Sequence, residues 1–471
     1  MRNLTLLTDL YELSMWNGYH ILGKDKFNAV FDLFYRPQPG LELAVAAGLE
    51  QACEYINNLH FGEEEINYLK SLNVFDDGFL ASLKDFKFSG DIYAVREGEI
   101  VFPYEPLLTV VAPLGEAQFV ETALLTIINH QTLIATKAMR ITQESHGGVA
   151  EFGLRRAQGP DAGIYGARAA VIGGCVSTSN VLAAKSFNLK PTGTMAHSWI
   201  MSFETELEAF RKYADIYPAN TLLLVDTYDT LKSGIPNAIT VFKELRAKGY
   251  TPVGIRLDSG DLAYLSKKAR DMLDKAGFEN AKIFGGGDID EEILMSLHAQ
   301  DAKIDVWGIG TKLITSFSIP SLGGVYKMAG IYDENGLLTP KIKLSDTQIK
   351  ITNPGLKKTY RIYDKDGFAY ADVIALENEK FNTEKPLTLT HPTERWKTAT
   401  IAGYTMRSLQ VQVFKNGVQV YRNPSVQEIS AYHKARKGEF QDEYKRLINP
   451  HEYKVDLSDK LYALKQKLIT R

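Results

Sequence analysis

The stretch VGIRLDSGDL, residues 253–262, joins a short apolar strand to a group of polar side chains. The strand is predicted over 253–257 and contains Arg256, and Asp258, Asp261 and a Ser-Gly turn follow it directly. In parallel α/β proteins, ligands bind at the carboxyl ends of the strands. A cation and hydroxyl-accepting carboxylates at such an end suit a ligand that carries both phosphate and sugar. An ion-paired strand end that caps the next helix explains this segment equally well.

The same pattern recurs along the middle of the chain, where it predicts a parallel sheet. Apolar runs end in glycine or charge and precede helix-length segments, at 148–152, 222–225, 253–257, 281–284 and 304–306, and more weakly at 190–195 and 321–327. Such runs are typical of strands buried on both faces. We therefore expect an irregular β/α barrel over residues 146–330, with an open doubly wound sheet as the alternative. A Rossmann fold is not supported, because no GxGxxG follows an early strand.

Two further domains are predicted beside the barrel, within an α/β fold class. Residues 1–145 mix helical patterns with an alternating strand at 27–35, which predicts an amino-terminal α+β domain. In residues 331–471, turn signals stand at 334–336 (ENG), 353–355 (NPG), 364–367 (DKDG) and 416–417 (NG). Ser425 and Glu428 form a capping box for a helix to about 448, and a last helix is predicted over 457–469. This region is expected to be a carboxyl-terminal hairpin and helix extension.

The composition favours an ordinary soluble protein of two or three domains. The 471 residues are 45% hydrophobic and 24% charged, and the net charge of -3 offers no basic surface for nucleic acid. Cys53 and Cys175 show no CxxC spacing, so neither a disulfide framework nor a zinc site is supported, and a cytoplasmic protein is expected. No apolar run approaches the ~18 residues of a membrane span. Asp9 and Glu12 among the first leucines predict no signal peptide.

Paired arginines follow the first strand of the predicted barrel. Arg155 and Arg156 together present a set of planar donors that suits a carboxylate or a pyrophosphate. The alternative is a structural ion-pair cluster with Glu151 or Asp161.

A histidine and two carboxylates follow later strands. His197 lies in GTMAHS, residues 193–198, where backbone N–H groups and an imidazole share a strand end. A lone histidine is usually structural, but among the nine histidines His197 is the one in a glycine-threonine turn. Asp226 and Asp229 follow the run at 222–225, where they either join the site or cap the next segment.

Two glycine loops follow the last two strong runs. They read GGGD at 285–288 and GIGT at 308–311. In barrels, the loops after the final strands commonly form a phosphate site from backbone N–H groups. Glycines also serve tight turns, so each loop alone is a weak signal, and the two together are a moderate one.

Taken in order, these motifs resemble those of the nicotinate phosphoribosyltransferases, a type II phosphoribosyltransferase family. The resemblance covers essentially the whole chain and rests on six motifs: LLTDLYEL (6–13), EFGLRRAQGPDAG (151–163), GTMAHSW (193–199), RLDSGDL (256–262), GGGD (285–288) and GIGTKL (308–313). It implies condensation of nicotinate with phosphoribosyl pyrophosphate to nicotinate mononucleotide and pyrophosphate, coupled to ATP hydrolysis. It also implies a homodimer with shared active sites.

The resemblance implies roles for individual residues. The implied catalytic residues are His197, which ATP would phosphorylate transiently, Arg256 and Asp258, which would accept hydrogen bonds from ribose hydroxyls. The implied substrate-binding residues are Tyr11, Phe152, Arg155, Thr194 and Arg256. Tyr11 would stack on the pyridine ring in the partner's active site, although the residues alone predict core packing for it. Phe152 would cover the other face of the ring.

The resemblance also implies how phosphate and metal are held. The implied phosphate-binding residues are Gly286, Gly287, Gly310 and Thr311. Mg²⁺ would bridge pyrophosphate oxygens and be held mostly by substrate and water, with no named protein ligand. The alternatives are an enzyme of the same fold that uses nicotinamide or quinolinate and a non-catalytic barrel that binds sugar phosphates. Met195 favours the acid, because amide-using relatives place an aspartate there.

Overall fold

The computed structural model describes residues 2–394 and 396–470. The chain forms two compact units, the first from the described parts of Met1–Leu133 and Ser321–Arg471, the second from Ile134–Pro320. This grouping differs from the three domains expected from the sequence, and the three-domain division stays a prediction.

The amino-terminal part of the first unit alternates helices with short strands. The helices are α1 Leu10–Ile21, α2 Leu49–Asn57, α3 Glu63–Ser71, α4 Asp77–Ser82 and α5 Leu114–Phe119. The strands are β1 Asn28–Tyr35, β2 Ala44–Val45, β3 Asp91–Val95, β4 Ile100–Val101 and β5 Leu108–Pro113. Helix α6, Glu121–Glu144, then continues into the second unit.

The second unit alternates strands and helices, as its apolar runs predict. The strands are β6 Gly148–Glu151, β7 Ser177–Thr178, β8 Leu222–Leu224, β9 Gly254–Leu257, β10 Lys282–Gly287 and β11 Val306–Ile309. The helices are α7 Pro160–Ile172, α8 Val181–Phe187, α9 His197–Met201, α10 Glu206–Ile216, α11 Ile235–Ala247, α12 Leu262–Lys275, α13 Glu291–Ala299 and α14 Thr311–Ile314.

The six strands of the second unit form one parallel sheet in the order β7-β6-β11-β10-β9-β8. Four of the five strong apolar runs lie mostly in strands, and the fifth, 304–306, leads into β11 at Val306, so the predicted parallel α/β fold is confirmed. No ladder joins the edge strands β7 and β8 in the described part of the chain, so closure into a barrel is not confirmed. These edge strands have only two and three residues, which limits the backbone bonds they can form.

The two weaker runs behave differently from the prediction. Residues 190–195 form no regular strand and contribute one isolated bridge, Thr178 to Pro191. Residues 321–327 lead into β12, Gly324–Tyr332, which pairs antiparallel with β1 in the first unit. The assignment of this run to the parallel sheet was therefore wrong, because a local apolar pattern does not specify which sheet completes it.

The carboxyl-terminal part of the first unit is built mainly from hairpins. After β12, the strands are β13 Leu338–Pro340, β14 Lys357–Tyr363, β15 Ala369–Leu376, β16 Leu387–Thr390, β17 Thr398–Ile401, β18 Thr405–Ser408, β19 Gln410–Lys415, β20 Val418–Gln419 and β21 Val455–Leu457. The helices are α15 Val426–Lys437, α16 Asp442–Lys445 and α17 Asp459–Ile469. The main sheets of this unit run β13-β12-β1-β5-β3-β19-β20 and β18-β14-β15-β21.

Three of the four predicted turns join paired strands. The turns at 334–336, 364–367 and 416–417 connect β12 to β13, β14 to β15 and β19 to β20. The turn at 353–355 does not, because β13 and β14 lie in different sheets. The capping box of Ser425 and Glu428 forms as predicted at the start of α15, but the helix ends at Lys437, so its predicted end near 448 was wrong. No helix in residues 2–394 and 396–470 has the length and apolar character needed to cross a membrane.

The core of the second unit lies between the parallel sheet and its helices. Ile255 and Leu257 of β9 are fully buried in one cluster with Phe242 of α11 and Leu273 of α12. Asp261 caps α12 by accepting the N–H of Tyr264, which confirms the capping interpretation for this carboxylate. The apolar strand thus holds its polar end in a fixed position.

We predict that Gly254→Ala destabilises the protein by about 3 kcal/mol. A Cβ on Gly254 would lie 1.9 Å from the carbonyl oxygen of Lys282, at a φ of +153°. The matched control, Gly249→Ala, also has a positive φ but meets no atom within 4 Å. It should cost only about 1 kcal/mol. Thermal unfolding of both variants checks this. Equal unfolding midpoint temperatures would contradict the close approach of β9 and β10 seen in the structure.

Candidate active site

Asp226 contacts three polar groups near the carboxyl ends of β8 and β9. It comes directly after β8, and its side chain is 1% exposed. Oδ2 accepts hydrogen bonds from the N–H of Asp258 at 2.8 Å and the hydroxyl of Ser259 at 2.7 Å. Oδ1 lies 3.2 Å from Nε2 of His197, whose side chain is 43% exposed. The carboxylate therefore links the ends of β8 and β9 to the start of α9.

The contact with Asp226 assigns different roles to the two nitrogens of His197. An ionised carboxylate only accepts hydrogen bonds, so a neutral His197 carries its proton on Nε2. Nδ1 then has the free lone pair and is the nucleophilic nitrogen. From the sequence, Asp226 and Asp229 are each expected either to join the site or to cap the next segment. Asp229 does the capping, by accepting the N–H groups of Leu231 and Lys232.

Arg256 and Asp258 form a two-pronged ion pair at the end of β9. Nε of Arg256 donates to Oδ1 at 2.9 Å and its second terminal nitrogen to Oδ2 at 2.5 Å. The other terminal nitrogen lies 3.5 Å from Oγ1 of Thr194 and 3.4 Å from the carbonyl oxygen of Met195. The guanidinium carbon is 5.6 Å from the centre of the Phe152 ring. The structure thus gathers Phe152, Thr194, Arg256 and Asp258 at one strand end.

The glycine loops approach these same side chains closely. A Cβ on Gly286 would lie 2.3 Å from Oδ1 of Asp258, and one on Gly310 would lie 2.8 Å from the carbonyl oxygen of Phe152. Gly287 has a φ of +116°, which favours glycine. Close packing and backbone conformation therefore account for these glycines. Thr311 begins α14, and phosphate binding by this group stays a prediction.

Arg155 and Arg156 lie exposed in a short turn after β6. Glu151 does not pair with them, because its carboxylate accepts the hydroxyl of Thr178 at 2.6 Å and the N–H of Gly153. Burial raises the pKa of Glu151. The alternative of an ion pair with Glu151 is therefore wrong, and in the described chain neither arginine pairs with a carboxylate.

The structure exposes Tyr11 and buries Met195. Tyr11 lies on α1 of the first unit with 44% of its surface exposed, so the core-packing alternative is wrong. Partial burial, then the carboxylates of Glu121 and Glu12, raise its pKa.

Met195 is 8% exposed and packs in the hydrophobic core of the second unit. The expectation that the arginines attract the acidic substrate stays a prediction.

These features define an α/β protein with an acidic, histidine-containing site and exposed arginines at the carboxyl edge of a parallel sheet. Family models of the nicotinate phosphoribosyltransferases match in three parts, the N-terminal domain model at residues 6–129, the family model at 148–358 and the C-terminal domain model at 356–465.

Individual relatives match along nearly the whole chain. The nicotinate phosphoribosyltransferase of Bacillus subtilis (strain 168) is 45% identical over 470 residues, which is 99% of this chain and 95% of the relative. The Homo sapiens nicotinate phosphoribosyltransferase is 31% identical over 522 residues, covering 98% and 96%. The crystal structure of human nicotinic acid phosphoribosyltransferase superposes with a TM-score of 0.87 at 29% identity, over 98% of this chain and 99% of that one. The chain therefore belongs to the nicotinate phosphoribosyltransferase family.

Proposed function

We propose that the protein transfers a phosphoribosyl group from phosphoribosyl pyrophosphate to nicotinate, with ATP hydrolysis coupled to the transfer. The products are nicotinate mononucleotide, pyrophosphate, ADP and phosphate, a salvage route to NAD. The observation that carries this proposal is the convergence of His197, Asp226, Arg256 and Asp258 at one edge of the sheet. Full-length similarity to relatives named nicotinate phosphoribosyltransferase supports it.

The transfer itself requires positioning and charge stabilisation. Nitrogen of the pyridine ring attacks the anomeric carbon of the ribose as the bond to pyrophosphate breaks, through a state with positive charge on the sugar. Asp258 would hold ribose hydroxyls, and Arg256 would stabilise anionic oxygens of the leaving group. Gly286, Gly287, Gly310 and Thr311 would bind the 5-phosphate with backbone N–H groups. Mg²⁺ would enter the site bound to the substrate pyrophosphate, because most ligands of Mg²⁺ in such sites are substrate oxygens and water.

We further propose that ATP phosphorylates His197 on Nδ1. The γ-phosphoryl group would pass to Nδ1 as its bond to ADP breaks, and water would later release it as phosphate. The Nε2 proton would stay in its contact with Asp226, which stabilises the positive charge of the phosphorylated ring. The phosphoenzyme would favour a substrate-binding conformation, so ATP acts through differential affinity between two states.

Asp226→Asn tests this division between the two ring nitrogens. An asparagine can present its NH₂ group to His197 and favour the opposite tautomer, so we expect roughly tenfold slower ATP-stimulated synthesis. The matched control is Asp229→Asn, since Asp229 caps a turn and does not contact His197. Steady-state rates with and without ATP check this. If both variants slow equally, Asp226 has no special role in orienting His197.

We propose that nicotinate binds through Arg155 and Phe152, with Tyr11 of a partner subunit on the other face of the pyridine ring. The exposed, unpaired guanidinium of Arg155 supports the first part, and the exposure of Tyr11 supports a homodimer with shared sites. A charge-assisted hydrogen bond contributes about 1.5 to 3 kcal/mol. Nicotinate should therefore be used at least about tenfold more efficiently than nicotinamide.

A comparison of nicotinate, nicotinamide and quinolinate as substrates, each with and without ATP, tests the proposed function. We expect nucleotide from nicotinate, stimulated by ATP. Equal or better turnover of nicotinamide or quinolinate would favour the alternative enzymes of the same fold. Arg155→Gln should raise the KM for nicotinate and leave that for nicotinamide nearly unchanged.

We also propose that the parallel sheet curls into an incomplete barrel. Residues 191–197 begin beside the edge strand β7, where the N–H of Thr192 donates to Thr178. They end beside the other edge, where His197 contacts Asp226 and Thr194 contacts Arg256. An irregular segment that reaches both edges supports closure without a regular strand pair.

The two buried free cysteines, Cys53 and Cys175, support a cytoplasmic location.

A further inference from the structure

The first unit contains a large cavity that shares no residue with the candidate active site. Its volume is about 760 Å³, and every residue that lines it belongs to the first unit. The wall is mainly apolar and includes Tyr104, Ile349, Ile351, Ile374, Leu389 and Leu457. Part of this wall rests on a hydrophobic cluster formed by Ile374, Leu457 and Leu461. Concave apolar surfaces of this kind with a few polar groups are typical of small-molecule sites.

The open edge of strand β21 runs along this cavity. Strand β21 pairs in parallel with β15 on one side only and is the last strand of its sheet. In the observed register, Asp456 bonds to β15, so the backbone groups of Val455 and Leu457 point away from it. Both residues line the cavity, and within the described chain their N–H and C=O groups have no hydrogen-bond partner. An adjacent acceptor and donor therefore lie on the open edge of β21, between two residues that line the cavity.

A buried carboxylate and a partly buried ammonium also line the cavity. Asp456 is 3% exposed and receives no hydrogen bond from the described residues. Burial raises its pKa. Lys465 donates to Oδ1 of Asn353 at 2.8 Å and has no carboxylate partner in the described chain. Burial, helped by the neighbouring Lys357, lowers the pKa of Lys465 to about 8.

These groups match the parts of one ligand class. A carboxylate suits ribose hydroxyls, and an ammonium without a carboxylate partner suits phosphate. The C=O of Val455 and the N–H of Leu457 lie two residues apart on one strand edge, which suits a flat base with neighbouring donor and acceptor atoms. The 6-amino group and N1 of adenine have this arrangement. Aliphatic side chains and Tyr104 would cover the faces of the base.

We propose that this cavity binds an adenosine phosphate. The backbone of Val455 and Leu457 recognises the adenine, Asp456 the ribose hydroxyls and Lys465 the phosphate. This site is independent of the proposed reaction, since its residues contribute nothing to the group around His197. The fraction of protein with this site occupied would then depend on the concentration of adenosine phosphate around it.

Calorimetric titration of the full-length protein with AMP tests the proposal. We expect wild type and His197→Ala to bind AMP equally, and Asp456→Asn and Lys465→Met to bind it at least tenfold more weakly. The matched control Lys460→Met, an exposed lysine on the same helix, should bind normally. Adenosine should bind more weakly than AMP to wild type and equally weakly to Lys465→Met. If wild type does not bind AMP, or both site variants bind it normally, the proposal is wrong.

A second measurement needs no variant and so does not depend on the folding of Asp456→Asn. With a pKa of about 8, Lys465 should react with an acetylating reagent at pH 7 well ahead of exposed lysines. AMP should protect Lys465, measured by mass spectrometry of peptides, while adding nothing to the protection of Lys460. Unchanged labelling of Lys465 at saturating AMP would overturn the assignment.

Discussion

His197→Ala is expected to abolish both phosphate incorporation from γ-labelled ATP and the stimulation of synthesis by ATP. The reason is geometric: Nδ1 of His197 is the nitrogen left unprotonated by the contact between Nε2 and Asp226. Alanine removes the phosphoacceptor and leaves the Arg256 and Asp258 pair in place. A slow synthesis without ATP should therefore survive, because the transfer to nicotinate needs no nucleophilic side chain.

The control for this variant is His60→Ala, an exposed histidine of the first unit. It should keep full labelling and full ATP stimulation. Acid-labile label on His197→Ala, or an undiminished response to ATP, would show that another residue accepts the phosphoryl group. Loss of all synthesis, including the reaction without ATP, would instead make His197 a participant in the transfer itself.

Arg256→Lys is expected to lower kcat/KM by about 30-fold or more, a loss of roughly 2 kcal/mol in transition-state stabilisation. Arg256 reaches both oxygens of Asp258 and still lies within 3.5 Å of Thr194. An ammonium is a single point of charge and cannot make these contacts at once. Without both contacts from residue 256, the carboxylate of Asp258 would shift and its hydrogen bonds to the ribose hydroxyls would weaken.

Arg211→Lys is the matched control, because Arg211 also makes a two-pronged pair, with Glu244, on an exposed surface. Exposed pairs contribute little, so that variant should keep its catalytic efficiency. If Arg256→Lys also keeps full efficiency, Arg256 only pairs with Asp258 structurally and does not act on the substrate.

The strand ends of the second unit could be predicted from sequence because their apolar runs are long enough to specify buried strands. Arg256 and Asp258 stand two residues apart, so their proximity follows from the chain itself. The closeness of His197 to Asp226 does not, because it depends on how residues 191–197 cross to the other edge of the sheet. No local pattern specifies that path, so the sequence does not determine whether Asp226 joins the site or caps the next segment.

One error has the same physical origin. The run at 321–327 has the apolar character of a buried strand, yet it leads into a strand that pairs with β1. A tertiary contact decided the outcome, and a single sequence does not record such contacts.

The most direct test of the central claim is the measurement of nicotinate mononucleotide and pyrophosphate formed from nicotinate and phosphoribosyl pyrophosphate. We expect the two products in equal amounts, with formation faster in the presence of ATP. Binding of phosphoribosyl pyrophosphate without release of pyrophosphate would contradict the account, and it would make the protein a non-catalytic sugar-phosphate-binding member of the fold.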